Sequence, residues 1–346
     1  MQSRPQTSSP SIDASLSFAL RLVLQSVGVW LAVATLSVYA ADEGMVEEGI
    51  DDESAVKTRR AAQVVESARA IANGKVTIVR TSASNSRNSN VLIHFHGAVE
   101  TMRTALARTE FDCTLIIVNF SGLSSAYSKP FESDANLFDA LLEMADLEIA
   151  AIAEPSAKED RRTTQVVDDP ALNITLSSFS AGYGATREIL KRPKDFDRVS
   201  AIVAADSIYA GLDTERSGAD NPRSNAEGDS ASTKRVVSEA NMRDFLRFAT
   251  LASKGERTFV ISHSAQPTPY ASTTETADYL LGSLLVPRDG NTEPHAHLAP
   301  RDGSMKLVSQ AVRGRFVVLG FAGEAANDHM QHLRNIDLLW NRCFAQ

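Results

Sequence analysis

The sequence predicts an α/β domain with a doubly wound, mostly parallel sheet and helices on both faces, and three observations carry that prediction. Seven short runs are rich in Val, Ile and other apolar residues with little polar alternation, the pattern of strands buried on both sides. Between them lie segments whose apolar residues recur at helical spacing, and strand alternating with helix gives a parallel sheet. One run ends in Leu176-Ser-Ser-Phe-Ser180-Ala-Gly-Tyr-Gly, where a strand passes into a helix through a sharp turn of small residues.

Taken in order, the chain opens with Arg4 and Arg21, then an apolar stretch over 22–40 that ends in Val38-Tyr39-Ala40. A positive start, an apolar centre and a small-residue end describe a signal peptide over 1–40, cut after Ala40. That reading exports the protein to the periplasm or beyond the cell. The alternative is a retained anchor, since the stretch approaches the ~20 residues that span a bilayer. No later segment is long and apolar enough, so no stable membrane span is expected after cleavage. Residues 41–53 hold Asp42, Glu43, Glu47, Glu48, Asp51, Asp52 and Glu53; so acidic a segment buries too little apolar surface to order itself and reads as a solvated tether. The folded domain is then 54–346.

A helix is predicted over 54–72, stopped by Asn73-Gly74, residues that tolerate the left-handed conformation. Strands are predicted over 76–81, 91–94, 113–120, 174–179, 199–205, 258–261 and 315–319. Phe138, Leu141, Leu142, Ala145, Ile149 and Ile152 make one apolar stripe at helix spacing, and 327–342 repeats it more loosely. The stretch 214–238 breaks the rhythm with Ser, Gly, Asp, Asn and Arg and no apolar period; a loop so long in a compact domain is functional or mobile. It follows a strand end and so borders a substrate cleft.

At 346 residues with 43% hydrophobic side chains, the chain supports one large core. Its net charge of −8 comes without a basic block, which leaves nucleic-acid binding and polybasic membrane contact unsupported. Cys113 and Cys343 are the two cysteines, too few for a disulfide framework; they read as separate buried thiols, with pairing as the alternative.

In an open parallel sheet, ligands bind beyond the carboxyl ends of the strands. Ser180 follows the run 174–179, Asp206 follows 199–205, and His329 lies between the final strand and the final helix. A serine hydroxyl is a weak nucleophile until an imidazole takes its proton, and the imidazole needs a carboxylate to fix its tautomer. The chain order Ser, Asp, His supplies those parts. An attacked carbonyl also needs donors for its developing oxyanion. The turn His96-Gly97-Ala98 aims backbone N–H groups at the same edge, and Ala181 follows the nucleophile; each donor is worth on the order of 3 kcal/mol. His96, Phe179, Tyr183 and Tyr209 are the candidate substrate-binding side chains.

His96-Gly97, Ser178-Phe-Ser180-Ala-Gly182, Asp206 and Asp328-His329 resemble the α/β-hydrolase superfamily, from about Val76 to the C-terminus. The resemblance implies an eight-strand-type sheet and a triad with Ser180 as nucleophile, Asp206 as acid and His329 as base. It further implies hydrolysis of an ester, or less readily an amide, without metal or organic cofactor. Two departures stand out. Ser178 replaces the first glycine of G-x-S-x-G, and the next strand, which carries the acid in most members, leads into His263-Ser-Ala-Gln with no carboxylate nearby. Glu275 and Asp278 are alternative acids and His332 an alternative base, while Asp328 reads as a helix cap.

Two further readings compete. His94 and His96, alternating along one strand and pointing the same way, would start a hydrolytic metal site completed by His263, His295, His297 or His329. A non-catalytic exported binding protein could keep the same fold. For a substrate, the polar stretch 214–238 lacks the apolar face of a lipid-seeking lid, and aromatics at 6% give no sugar-stacking platform. A small soluble acyl ester or an acylated cell-surface polymer fits best.

Overall fold

Apolar runs without polar alternation become the central strands, because both faces of those strands are covered. The computed structural model describes residues 67–80, 89–153, 172–214, 235–290, 298, 300 and 303–344. The signal segment, the acidic tether, residues 54–66, His295 and His297 lie outside them.

The strands are β1 (Ser67–Ile71), β2 (Gly74–Arg80), β3 (Asn90–Phe95), β4 (Thr114–Asn119), β5 (Asn173–Phe179), β6 (Val199–Ala205), β7 (Leu212–Thr214), β8 (Arg235–Val237), β9 (Thr258–His263), β10 (Leu307–Arg313) and β11 (Phe316–Phe321). The helices are α1 (Val99–Ala107), α2 (Ser124–Ser133), α3 (Leu137–Ala153), α4 (Tyr183–Leu190), α5 (Pro193–Arg198), α6 (Glu239–Ser253), α7 (Thr273–Ser283), α8 (Ala326–Arg334) and α9 (Ile336–Phe344). Nine strands form one sheet in the order β1-β2-β4-β3-β5-β6-β9-β11-β10. From β4 to β11 every pairing is parallel; the antiparallel pairings lie towards the two edges.

Successive residues of each central strand feed two cores. Ile93, Phe95, Ile116, Val118, Ile202, Ile261 and Val318 pack with α2 to α7 on one face. Leu92, Leu115, Ile117, Val203, Val260, Val317 and Leu319 pack with α1, α8 and α9 on the other. Each helix buries the stripe its sequence spells: Met242, Phe245, Phe248, Ala249 and Ala252 on α6, Phe138, Leu141, Leu142 and Ala145 on α3. α7 starts at a capping box, with Ser272 and Glu275 exchanging side-chain and backbone bonds. Cys113 and Cys343 are separate buried thiols on the second face, and burial pushes both thiol pKa values up. Among the described residues no helix is long and apolar enough to cross a membrane.

Three expectations change. The predicted helix over 54–72 does not reach its end as a helix: Ser67–Ile71 is an edge strand, and Ala72 (φ 44°) and Asn73 (φ 66°) form the tight turn that folds it onto β2. Two left-handed residues in a row are what a two-residue hairpin requires, so the signal read as a helix stop is a chain reversal. The stretch 214–238 is not all loop, since its ends pair as the small β7–β8 hairpin; residues 215–234 lie outside the described set. The helix over 327–342 is two helices broken at Asn335. The sheet also gains β1 and β10 beyond the seven predicted strands.

Candidate active site

β5 delivers Ser180 at the centre of the carboxyl edge, and the backbone there is strained: Ser180 has φ 46°, a left-handed value worth roughly 1–3 kcal/mol of strain in a residue with a Cβ. A single 3₁₀ turn, Ser180–Gly182, carries the chain into α4. Gly182 has no room for a side chain, because a Cβ would lie 2.2 Å from the Phe95 carbonyl oxygen. Ser178, in place of the usual glycine, turns its hydroxyl to Ser207 Oγ at 2.9 Å, and Ser207 Oγ donates to the Ser180 carbonyl at 3.0 Å. Ala181 sits in the first turn, where backbone N–H groups have no partner within the helix.

β6 ends in a second left-handed residue, Asp206 (φ 40°). Its carboxylate is almost wholly buried and accepts four hydrogen bonds. Oδ2 takes His329 Nδ1 at 2.7 Å and Ser264 Oγ at 2.6 Å; Oδ1 takes Ser264 N at 2.9 Å and Thr273 Oγ1 at 2.5 Å. Burial works to raise this carboxyl's pKa, but the neighbouring imidazoles of His332 and His329 and the Ser264 hydroxyl outweigh it and hold it below the usual carboxylate range. Ionised, Asp206 fixes the His329 proton on Nδ1, so Nε2 is the free base. The His329 ring stacks on Phe179, the residue before the elbow serine, with centroids 4.5 Å apart. Among the described residues the Ser180 hydroxyl makes no hydrogen bond, to His329 or otherwise; such contacts are often long in unliganded sites and tighten when substrate binds.

The alternatives to these residues have other partners. His332, on α8 itself, is buried with Nδ1 2.7 Å from Ser262 Oγ; burial drives its pKa down to about 4. Glu275 belongs to the α7 capping box and pairs with Arg235, and Asp278 pairs with Arg288. Asp328 accepts the Ala325 N–H at the start of α8 and is a cap, as the sequence predicts.

The turn after β3 corrects two expectations. Gly97 does not offer its N–H to the cleft, because that group donates to Asn119 Oδ1 at 3.0 Å while Asn119 Nδ2 holds the Gly97 carbonyl at 2.8 Å. Ala98, exposed one residue later, makes no N–H hydrogen bond among the described residues. His94 and His96 do not act as a pair either. His96 (φ 73°) leaves the strand's pleat, and its Nδ1 meets Tyr127 Oη at 2.7 Å, while Phe120 N donates to the same oxygen. His94 is fully buried, with Nδ1 2.9 Å from Ser177 Oγ, itself the acceptor of Trp340 Nε1. Burial lowers both pKa values, to about 4 for His96 and about 3 for His94. Among the described residues no group of three or more His, Cys, Asp or Glu could hold a metal ion. His263 is likewise engaged, by Thr274 and Arg288.

The substrate-binding candidates fall into two sets. His96 and Phe179 stack at 6.0 Å beside the elbow. Tyr183 and Tyr209 are largely buried, 5.5 Å apart, and Tyr209 meets the edge of the half-exposed Tyr270 at 5.4 Å; this cluster packs beside the acid, with Tyr209 Oη donating to the Asp206 carbonyl at 3.4 Å. Sequence reasoning missed Asn119, Ser207, Ser264 and Thr273. Each lies at or just beyond a strand's carboxyl end or at a helix start, which is the one signal that singles them out among ordinary polar residues.

Strands β3, β5 and β6 thus end side by side in left-handed residues, and the elbow, the Asp–His pair and the sheet order define an α/β-hydrolase-like architecture. No protein-family model and no curated protein matches the chain. Among solved structures it is similar to an uncharacterised protein of Capnocytophaga ochracea, with TM-score 0.46 and 10% identity over 82% of this chain and 65% of that one, so it spans less than two thirds of that protein. It is also similar to Est1E from Butyrivibrio proteoclasticus (TM-score 0.36, 9% identity, 80% and 96% covered). A third is an alpha-beta serine hydrolase homologue from Coxiella burnetii (TM-score 0.36, 13% identity, 81% and 96% covered).

Proposed function

We propose that the chain is an exported serine hydrolase that cleaves an ester, less readily an amide, through an acyl-Ser180 intermediate. The observation that carries this reading is the 2.7 Å bond from His329 Nδ1 to the buried Asp206 carboxylate, with the same ring stacked against the residue before Ser180. His329 Nε2 accepts the Ser180 proton as Oγ attacks the substrate carbonyl. The oxyanion is met by the N–H groups of Ala98 and Ala181. The tetrahedral intermediate collapses, the leaving alkoxide takes the proton from His329, and the acyl group stays on Oγ. Water, deprotonated by the same nitrogen, then releases the acid and restores Ser180. General-base help of this kind is worth roughly 10²–10⁴ in rate.

The substrate is a small soluble acyl ester or an acylated polymer, supported by the polar character of 214–238 and by the absence of a basic block. Export is supported by the charge and hydropathy order of residues 1–40. One experiment tests the chemistry: treat the purified protein with a serine-reactive phosphonate, locate the added mass, and repeat with Ser180→Ala. A single adduct on Ser180, lost in the variant together with ester hydrolysis, is expected. Labelling at another residue, or hydrolysis abolished by chelator with no adduct, would remove the reading.

A further inference from the structure

We infer that Ser178 and Ser207 form a two-hydroxyl bridge that sets the orientation of the nucleophile relative to the acid, and that both are positioning residues for the reaction proposed above, on which this inference rests. The bridge has one possible direction. A carbonyl oxygen only accepts, so the bond between Ser207 Oγ and the Ser180 carbonyl (3.0 Å) takes Ser207's single hydroxyl hydrogen. Ser207 Oγ is then an acceptor towards Ser178, whose own hydrogen fills the 2.9 Å contact. The relay runs from Ser178 through Ser207 to the Ser180 carbonyl, with both hydroxyl-bearing residues about 1% exposed and shielded from competing water.

Its ends join the two strained turns of the site. Ser180 sits at φ 46°, Asp206 at φ 40° and Ile208 at φ 78°, and Ser207 lies between the last two. Left-handed residues persist only where their surroundings over-determine them. Ser207 supplies that constraint from the acid's own turn, since moving the Ser180 peptide would break the bond to the residue next to Asp206. The Ser180 carbonyl also receives the Tyr183 N–H of the following turn, so both of its lone pairs are occupied. A glycine at position 178 has no hydroxyl to donate. The departure from G-x-S-x-G is thus a hydrogen-bonding feature as well as a small residue that fits.

The test compares Ser207→Ala, Ser178→Gly, the double variant and Ser207→Thr in the full chain. It measures kcat and KM on a short-chain nitrophenyl ester, the rate of Ser180 phosphonylation and the thermal midpoint. Losing the direct bond in Ser207→Ala lowers kcat and the phosphonylation rate together by about tenfold, the equivalent of one hydrogen bond, with KM within about twofold. Ser178→Gly costs about threefold, the double variant is no worse than Ser207→Ala, and Ser207→Thr recovers part of the rate. Unchanged kcat and labelling in Ser207→Ala would overturn the bridge, and so would single effects that multiply in the double variant. If Ser207→Ala is too unstable to assay, Ser178→Gly alone decides, because glycine already satisfies the elbow's packing. A wild type that never labels on Ser180 defeats the nucleophile reading itself; a labelled wild type with an insensitive Ser207→Ala defeats only the bridge.

Discussion

Two histidines one turn apart on α8 stand in opposite circumstances. His329, in the helix's first turn, is partly exposed and gives Nδ1 to a buried carboxylate; His332, three residues on, is buried against Phe321 with Nδ1 on the neutral hydroxyl of Ser262. The rings share one helix and neighbouring surroundings, and Asp206 acts electrostatically on both. What separates them is the partner of the inner nitrogen and access to solvent: a carboxylate sets the tautomer and can steady an imidazolium, whereas burial beside a hydroxyl leaves His332 neutral, with its pKa pressed down to about 4. In the proposed mechanism, the capacity to act as base is therefore a property of the pairing and not of the helix position.

The sharpest way to break this contrast is to remove each ring in turn. His329→Ala should lower kcat by at least about 10³-fold, because the proton acceptor of the proposed mechanism and the acid's histidine partner are lost together. His332→Ala should change kcat by less than about tenfold while lowering stability by about 1–3 kcal/mol, the cost of a small void and an unpartnered Ser262 hydroxyl. Steady-state kinetics and urea melts on both variants check the pair. Equal losses of kcat would mean that the two rings share the proton work and that the contrast is wrong.

A second test uses pH. His332, His94, His96 and His263 all have pKa values depressed by burial, to about 4, 3, 4 and 3, against an unfolded value near 6.5. Between those values the unfolded chain binds protons that the folded one refuses, so stability falls as pH drops from about 6.5 towards 3–4. Asp206, held below the usual range, adds a loss of the same sign at still lower pH, as the folded carboxylate is protonated. His332→Gln removes one titrating ring and should therefore flatten the decline from pH 7 to pH 5 by about 2 kcal/mol, read as unfolding free energy from urea melts at each pH. Parallel curves for wild type and variant would show that the interior face of α8 is not the dry environment described here.

How far the sequence foretold this contrast depends on the kind of signal. Strands 76–81, 91–94, 113–120, 174–179, 199–205, 258–261 and 315–319 all correspond to strands of the sheet, because two-sided burial leaves an uninterrupted apolar run. β10 carries no such run, because Leu307–Arg313 lies at an edge and mixes buried and exposed residues. β1 was hidden by Asn73-Gly74, which marks a helix end and a hairpin equally well; only the pairing with β2 decides between them. At the site, chain order and chemistry single out Ser180, Asp206 and His329, and of these the structure brings Asp206 and His329 into direct contact. The donors that organise them were not, since Ser207, Ser264 and Thr273 are ordinary hydroxyls until the fold aims them. The same holds for Gly97, whose N–H is taken by Asn119, 22 residues on, a partner no local pattern marks.

The smallest expected effect tests how much of the base's advantage comes from the acid's own support. Asp206 keeps one charge-assisted bond to His329 and three from the shell formed by Ser264 and Thr273. Ser264→Ala removes the shorter of the two contacts to Oδ2 but none of the backbone support, since Ser264 N still donates to Oδ1. A hydrogen bond to a charged group contributes about 1.5–3 kcal/mol when lost outright, but here three donors remain and the carboxylate stays paired. The expected result is a kcat lowered by about three- to tenfold with KM unchanged. An unchanged kcat would mean that His329 is oriented by its stacking on Phe179 alone; a loss as deep as that of His329→Ala would mean that the hydroxyl, and not the carboxylate's charge, fixes the ring.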